Sequence, residues 1–298
     1  MKHIFIVNPK AGKVDHTDIV REHLQKYDGK LDYHIYYTKG PKDATNYVKE
    51  CLKQTNDYLR FYACGGDGTL NEVVNGAVGF DNCEVACYAI GSGNDFAKAL
   101  GNMDDYKDLD KIINASAREI DVMKYGGNYS LNICNFGLDA WAAFKMSKYK
   151  TWPLVSGKMA YNLGVIYSVL FKMKHCMKVE VDGEVLYDGN ALLCSIANGI
   201  CYGGGYYCAP KAKLDDGELD ICLVKEVSIF TLARLIGLYK AGKHLDSPKF
   251  QKYIYYKKGK NITVSSNKPI MFCNDGEVQT VEKLELSVVK NALKFVII

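Results

Sequence analysis

The stretch from Cys64 to Asn75, Cys-Gly-Gly-Asp-Gly-Thr-Leu-Asn-Glu-Val-Val-Asn, limits what this chain can fold into more than any other. Ahead of it runs Tyr58 to Cys64, short, apolar and rich in aromatics, bounded by Asn56-Asp57 and Gly65-Gly66. Such a segment reads as a buried strand of a parallel sheet. After it Leu70, Val73, Val74 and Ala77 recur at helical spacing, with Glu72 and Asn75 on the opposite side. Gly65, Gly66 and Gly68 therefore sit on a strand-to-helix turn. Glycine permits positive φ and lets a ligand approach the backbone. Free N–H groups at the following helix start favour an anion, with phosphate the leading choice. Asp67 is the odd member, since a bare carboxylate repels phosphate. It makes sense if it reaches a magnesium ion, or a water on one, that bridges phosphate oxygens. The plain alternative is a tight turn that only connects strand to helix.

Other segments repeat the pattern. Ile4 to Val7 is a first buried strand, followed by the turn Asn8-Pro9-Lys10-Ala11-Gly12-Lys13 with its two amines. Thr17 to Tyr27 reads as a helix with Ile19, Val20, Leu24 and Tyr27 apolar, and Asp32 to Thr38 as a second strand. A helix from Lys42 to Lys53 follows, which Thr38 could cap. Glu84 to Ile90 is a further strand, opening into Gly91-Ser92-Gly93-Asn94-Asp95-Phe96-Ala97, a second glycine turn that leads into a helix. Two such turns at successive strand ends put both on the carboxyl edge of one sheet, where open α/β folds bind nucleotides.

Around Ser116 to Ile120 the pattern changes to strands: Ile120–Lys124, Tyr129–Phe136, Met177–Val181, Ala191–Ala197, Leu219–Val224 and Ile262–Ser265. This marks the shift from an α/β domain to a mostly antiparallel β domain. Ala140 to Lys174 reads as helix, interrupted near Trp152-Pro153, with aromatics among lysines that include Lys145, Lys148 and Lys158. That mix suits either a cover on a sheet or a bilayer surface. Leu293 to Ile298 is a last apolar strand.

Composition excludes several classes. No basic run with interleaved aromatics suggests nucleic acid, and a net charge of +4 over 298 residues is weak. No segment reaches the roughly 20 apolar residues that span a bilayer. The 11 cysteines form no Cys-x-x-Cys pair and follow no signal peptide, so reduced, mostly buried thiols in a cytoplasm are expected.

Cys64 to Gly76 resembles the Gly-Gly-Asp-Gly-Thr motif of the diacylglycerol kinase catalytic domain, found in bacterial lipid kinases and in sphingosine and ceramide kinases. NAD kinases and phosphofructokinases carry related turns; the longer match through Asn71-Glu72-Val73-Val74-Asn75-Gly76 points to the lipid-kinase branch. Asn8 to Gly12, Gly91 to Ala97 (with Ser92 in place of Thr), Ala209 to Asp220 and Asp275 to Glu277 match the same family in the same order. The resemblance implies an α/β domain at 1–118 with a parallel, NAD-kinase-like or Rossmann-like sheet, rejoined by 287–298. It implies an antiparallel β-sandwich acceptor domain at 119–286, with ATP in the cleft between the two.

By the same resemblance, ATP meets Asn8, Pro9, Lys10, Ala11, Gly12, Thr38, Gly66, Asp67, Gly68, Thr69, Leu70, Asn71, Glu72, Ser92, Gly93 and Asn94. A structural magnesium site is implied at the Asp216 carboxylate and the carbonyls of Lys213 and Glu218; four carboxylates in Asp215 to Asp220 need a cation or lysines among them. Asp216-Gly217 is also a strong hairpin-turn signal. Glu277 is implied as the base on the acceptor hydroxyl, Asp275 supporting it or the metal, and Asp67 as the third catalytic residue. Phosphoryl transfer to an alcohol needs such a base and a metal on the phosphates. Gly203-Gly204-Gly205 between tyrosines suggests a flexible apolar lip. The implied activity is an ATP- and magnesium-dependent lipid kinase acting on diacylglycerol to give phosphatidic acid, cytoplasmic and visiting the membrane surface, with a homodimer left open. Kinases of a sphingoid base, ceramide or a soluble NAD-like acceptor are the alternatives, as is a nucleotide-binding regulator without catalysis.

Overall fold

Strand β1 (Lys2–Val7) lies between two parallel neighbours, β2 (Tyr33–Tyr37) on one side and β3 (Leu59–Gly65) on the other, with β4 (Cys83–Ala89) parallel beyond β3. Every residue of β3 and β4 is buried. That is why both read as continuous apolar runs without alternation. Helices α1 (Thr17–Gln25), α2 (Asp43–Gln54) and α3 (Asp67–Ala77) make the crossovers. Short helices α4 (Asp95–Leu100) and α5 (Leu109–Asn114) precede the ribbon β5 (Ala117–Tyr125) and β6 (Asn128–Ser130). The computed structural model describes residues 1–12, 14–152, 155 and 157–298. Lys13 of the first turn, Pro153 of the helix interruption and the side chain of Lys158 lie outside the described residues.

Contacts divide the chain into two units. The first holds Met1–Val122, Asn128–Leu131 and Val289–Ile298. Its core stacks Phe5 on Tyr62 at 4.1 Å between ring centres and gathers Val20, Leu24, Ile112 and Val296. Ile19, expected on the apolar face of α1, is exposed instead, and the helix buries Val20 and Leu24. Near the chain end Phe295 pairs with Val85 of β4 in parallel and meets Phe96 of α4 edge-on.

The second unit, Met123–Gly127 and Asn132–Val288, is antiparallel in every recorded strand pair. In chain order it holds β7 (Ile133–Gly137), α6 (Leu138–Tyr149), α7 (Gly157–Phe171), β8 (His175–Val181), β9 (Glu184–Ala197) and β10 (Leu219–Lys225). Then come α8 (Ile229–Lys240), α9 (Pro248–Gln251), β11 (Ile254–Gly259), β12 (Asn261–Asn274) and β13 (Glu277–Val296), whose last residues belong to the first unit. The expected strand Tyr129–Phe136 is two strands, β6 and β7, in different units. A bend at Leu131-Asn132 breaks it, and no glycine or proline between Tyr129 and Phe136 announces that break. Phe136, Met177, Ile196, Leu219, Val264 and Phe272 make the main core of this unit.

One buried ion pair joins the central strands of the first unit. Arg60 on β3 and Glu84 on β4 are register partners; Arg60 Nε donates to Glu84, and Nη1 donates to the Ile113 carbonyl at the end of α5 at 2.9 Å. Both side chains are nearly inaccessible to water. A buried pair adds little net stability, but removing one partner strands the other. Glu84→Gln is therefore expected to lower the unfolding free energy by about 3 kcal/mol in urea titrations. A loss well under 1 kcal/mol would show that Arg60 finds another acceptor.

Candidate active site

In the first unit the strand order β4-β3-β1-β2 makes successive connections leave β1 and β3 in opposite directions. The crevice beyond the carboxyl ends of β1 and β3 is thus a topological switch point, the place where such sheets take ligands. The loop after β1 and the turn after β3 meet there. Asn8 Nδ2 donates to Thr69 Oγ1 at 3.1 Å, while Asn8 Oδ1 accepts the Lys10 N–H at 3.0 Å. Gly12 lies against the Ile90 carbonyl, so the first loop closes onto the residue that opens the second glycine turn. Pro9 is half-buried, Ala11 is buried, and Lys10 is exposed with no ion pair among the described residues. Thr38 follows β2 on the same edge, its N–H donating to the Val7 carbonyl at 2.9 Å.

The two glycine turns touch through their backbones. A side-chain carbon on Gly91 would collide with Gly66 Cα, and one on Gly93 would stand 2.7 Å from Asp67 Oδ2. The N–H groups of Ile90 and Gly91 both donate to the Gly65 carbonyl at 3.1 Å. Gly66 has φ −99°, which any residue adopts, and neither Gly65 nor Gly68 has positive φ. Glycine is needed at this contact for closeness, not for a left-handed backbone. Gly68 alone in the motif faces open space. Ser92 and Gly93 are exposed, and Leu70 is buried.

Several motif residues have structural partners that their sequence does not announce. Asp67 accepts the Phe96 N–H at 3.2 Å, so its carboxylate lies across the start of α4. Burial and the neighbouring Asp95 charge push its proton affinity up, while the N–H groups of Phe96, Asp95 and Asn94 oppose this. Asn94, at φ 54°, donates to the carbonyls of Gly91 at 2.8 Å and Ala89 at 3.2 Å, closing its own turn. Glu72 accepts the N–H groups of Lys42 at 2.9 Å and Ala44 at 3.2 Å. It therefore satisfies the open end of α2, the task Thr38 could have had. Asn75 bonds the Tyr129 backbone in both directions at 2.8 Å, and Asn71 Nδ2 reaches the same carbonyl at 3.4 Å. The polar side of α3 is thus a clasp on β6.

In the second unit Asp275-Gly276 is a two-residue hairpin turn, φ 45° and 92°, with Asn274 and Glu277 as the flanking partners. Positive φ at both positions is the I′ geometry that Asp-Gly favours. Glu277 is exposed at the tip; beneath it Asn274 donates to the Tyr125 hydroxyl at 2.8 Å and accepts from Cys134. Burial, with the nearby carboxylates, keeps the Tyr125 phenol and the Cys273 thiol protonated. In the acidic turn, Asp216 Oδ1 accepts the Glu218 N–H at 3.2 Å and Oδ2 takes Lys258 at 2.5 Å. Lys258 also reaches Asp220 at 3.3 Å. It is the one described ammonium paired with this acidic run, and the exposed Asp215 and half-buried Glu218 have no ion pair among the described residues. Lys213 is exposed. No three His, Cys, Asp or Glu side chains converge on a metal position among the described residues.

The diacylglycerol kinase catalytic domain profile matches residues 2–125, and the YegS C-terminal NAD kinase beta sandwich-like domain profile matches residues 132–297. A diacylglycerol kinase from Bacillus subtilis is 30% identical over 277 residues, covering 91% of this chain and 88% of its own. The chain belongs to the diacylglycerol kinase family. It therefore has the two-domain architecture of these lipid kinases. The crystal structure of a diacylglycerol kinase from Bacillus anthracis superposes with a TM-score of 0.71 at 25% identity, over 100% of this chain and 97% of that one. An NAD kinase from Archaeoglobus fulgidus, crystallised in complex with ATP, shares the fold with a TM-score of 0.51 at 12% identity, over 99% and 93% of the two chains.

Two features of this kinase escaped the sequence. The three glycines after Tyr202 are not a loose lip: Tyr202 and Tyr206 close them with paired backbone bonds of 2.8 and 3.1 Å. The Tyr202 hydroxyl then donates to Asp139, at the start of α6. The one available signal for Asp139 is an acid inside the apolar run Phe136-Gly-Leu-Asp-Ala-Trp. Burial raises its pKa from 3.8 to about 6 against the pull of the Tyr202 hydrogen bond. Between those values the folded chain keeps a proton that the unfolded chain sheds, so the stability this carboxyl contributes falls as pH rises across that window and is gone above it. Asp139→Asn is expected to melt higher than the wild type at pH 8, by up to about 3 kcal/mol of stability, with the gain vanishing near pH 4. An equal difference at both pH values would clear the carboxyl of this role.

Proposed function

We propose that this chain transfers the γ-phosphoryl group of ATP to a hydroxyl of diacylglycerol, giving phosphatidic acid. The observation that carries this reading is the meeting of Asn8, Thr69 and the two glycine turns at the switch point of the sheet, in a member of the diacylglycerol kinase family. The NAD-kinase likeness at 12% identity supports the fold and gives no reason to prefer a soluble acceptor.

ATP would lie along the carboxyl edge of this parallel, NAD-kinase-like sheet. Its phosphates would take N–H donors at the start of α3, an eleven-residue helix whose first turn opens at Gly68. Lys10 would offer its ammonium to them. Asn94, Asn71 and Glu72 serve this edge by holding its turns and helices in place. Glu277 takes the proton of the acceptor hydroxyl as the new oxygen–phosphorus bond forms and the bond to the β-phosphate bridging oxygen breaks. Asp275, at the neighbouring turn position, supports that carboxylate.

Magnesium fits both acidic places. Asp67 is a desolvated carboxylate with no ion pair among the described residues, and one or two carboxylates plus phosphate oxygens suffice for this ion. Asp216, with the carbonyls of Lys213 and Glu218, offers hard oxygen donors in an acidic run that Lys258 only partly offsets. When bound near Asp67 the ion supplies charge neutralisation of the phosphates. Among the described residues no helix is long and apolar enough to cross a membrane. The reading has the enzyme in the cytoplasm, meeting its lipid at the bilayer surface.

Purified enzyme with labelled ATP and a lipid panel tests the reading. Glu277→Gln should lower turnover on diacylglycerol by about a hundredfold or more while leaving the KM for ATP near wild type. Loss of transfer in Asp275→Asn with Glu277→Gln still active would reverse the two roles, and full activity in both would end the proposal for this hairpin. Asp67→Asn should remain folded and lose turnover by orders of magnitude; near-normal activity at saturating magnesium would remove it from the reaction. For the structural ion, magnesium should raise the melting temperature of the wild type and not that of Asp216→Ala. Equal shifts in both proteins would discard that site.

A further inference from the structure

Below the Asp275-Gly276 turn three register partners lie side by side across the sheet. Cys134 of β7 pairs with Asn274 of β12, and Asn274 with Glu277 of β13. Residues directly opposite in an antiparallel pair put their side chains on one face, with Cβ atoms about 5 Å apart. The neighbours show which face this is. Met271 and Cys273, the alternate residues of β12, pack with Val278 against Ala140, Trp141 and Phe144 of α6. Phe272 and Asn274 therefore point the other way. There Phe272 stacks on Phe136 and meets the Tyr125 ring edge-on at 6.1 Å. Glu277 shares the face of Asn274, and so the side of the sheet on which Tyr125 lies.

Hydrogen bonds run along this row. The Cys134 thiol donates to Asn274 Oδ1 at 3.1 Å, and Asn274 Nδ2 donates to the Tyr125 hydroxyl at 2.8 Å. All three side chains are buried. Each link fixes the next. With Oδ1 taken by the thiol, the amide presents its hydrogens to Tyr125. The Tyr125 oxygen is thereby an acceptor, and its own hydrogen is directed away from Asn274. Burial, with Cys134, Asp275 and Glu277 close by, pushes the proton affinity of the phenol up, so that hydrogen stays on the oxygen.

A base at a hairpin tip has to be held in one place. An exposed glutamate samples many rotamers, yet a base must stand within hydrogen-bond reach of the hydroxyl it serves. A carboxylate has two oxygens, so one can be held while the other works. An ammonium in this place would hold it too, but its charge would oppose uptake of a proton, which a neutral phenol does far less. We infer that Tyr125 is a positioning residue for the transfer, its hydroxyl donating a hydrogen bond to one oxygen of the Glu277 carboxylate and turning the other toward the acceptor alcohol. The inference rests on the reading of Glu277 as the base. Asn274 and Cys134 act one step further back, each setting the direction of the donor in front of it.

Full-length protein with 3-fluorotyrosine at position 125 alone, without ATP, tests the contact directly. The fluorine resonance should move in Glu277→Ala and stay in place in Asp275→Ala. No movement in Glu277→Ala, or an equal movement in both, overturns the contact. Kinetics tests what the contact does. Tyr125→Phe keeps the ring and removes the hydroxyl, so kcat on dioleoylglycerol should fall about tenfold while the KM values for ATP and lipid stay within about twofold. In the Glu277→Gln background the same change should cost nothing further, because no base is left to orient. An unchanged kcat in Tyr125→Phe, or an equal loss in both backgrounds, overturns the positioning role. If Tyr125→Phe melts early, its combination with Asn274→Leu, which removes the amide left without a partner, takes its place in both backgrounds. A fluorine shift in Glu277→Ala alongside full activity in Glu277→Gln would instead sink the reading of Glu277 as the base and leave the hydrogen bond standing.

Discussion

The contact between Gly66 and Gly91 is the constraint on which the first unit's site depends. Two strand-to-helix turns can share one crevice only if their backbones come closer than any side chain allows. That closeness lets Gly65 accept two N–H groups from the second turn and lets Asp67 reach the start of α4. It also leaves the first turn of α3 facing open space at Gly68, at the end of the helix where backbone N–H groups lack an intrahelical partner. A bulkier residue at either glycine would separate the turns, and with them the donors.

Charge is managed differently at each depth. Arg60 and Glu84 are shut between strands and satisfied by each other, by Tyr58 and by the end of α5. Asp216 and Asp220 share Lys258, and Tyr256 donates to Asp220 at 2.5 Å. Asp67 and Asp139 have hydrogen bonds but no ion pair among the described residues, and burial pushes both toward the protonated form. A carboxylate in that condition gains from any cation or hydrogen-bond donor brought to it. Asp67 lies at the edge where this enzyme is proposed to hold its phosphates, and Asp139 lines the apolar cavity of the second unit.

Much of this was legible in the chain. Apolar runs ending in glycine gave the parallel strands, helical spacing gave α3, and Asp275-Gly276 announced its hairpin, because each depends on neighbours within a few residues. The strand run Tyr129–Phe136 misled because strands on either side of a break look like one strand. Helix α8 was missed because exposed apolar residues such as Phe230 and Ile236 blur the period of its buried Leu232, Leu235 and Tyr239.

By itself the sequence determined the family, the alternation of strand and helix in the first half, the antiparallel strands of the second, and the residue types at each turn. Only the tertiary structure decided what those residues do. Asn75 and Glu72 look like a solvent face of α3 until Tyr129 and the start of α2 arrive beside them. Gly91 looks like an ordinary turn glycine until Gly66 fills the space where its side chain would be. Asp139 is one acid in an apolar run until α6, α7 and α8 enclose a cavity around it. The physical reason is common to all three: each role is set by a partner distant in sequence, and no local pattern encodes how closely two segments will approach.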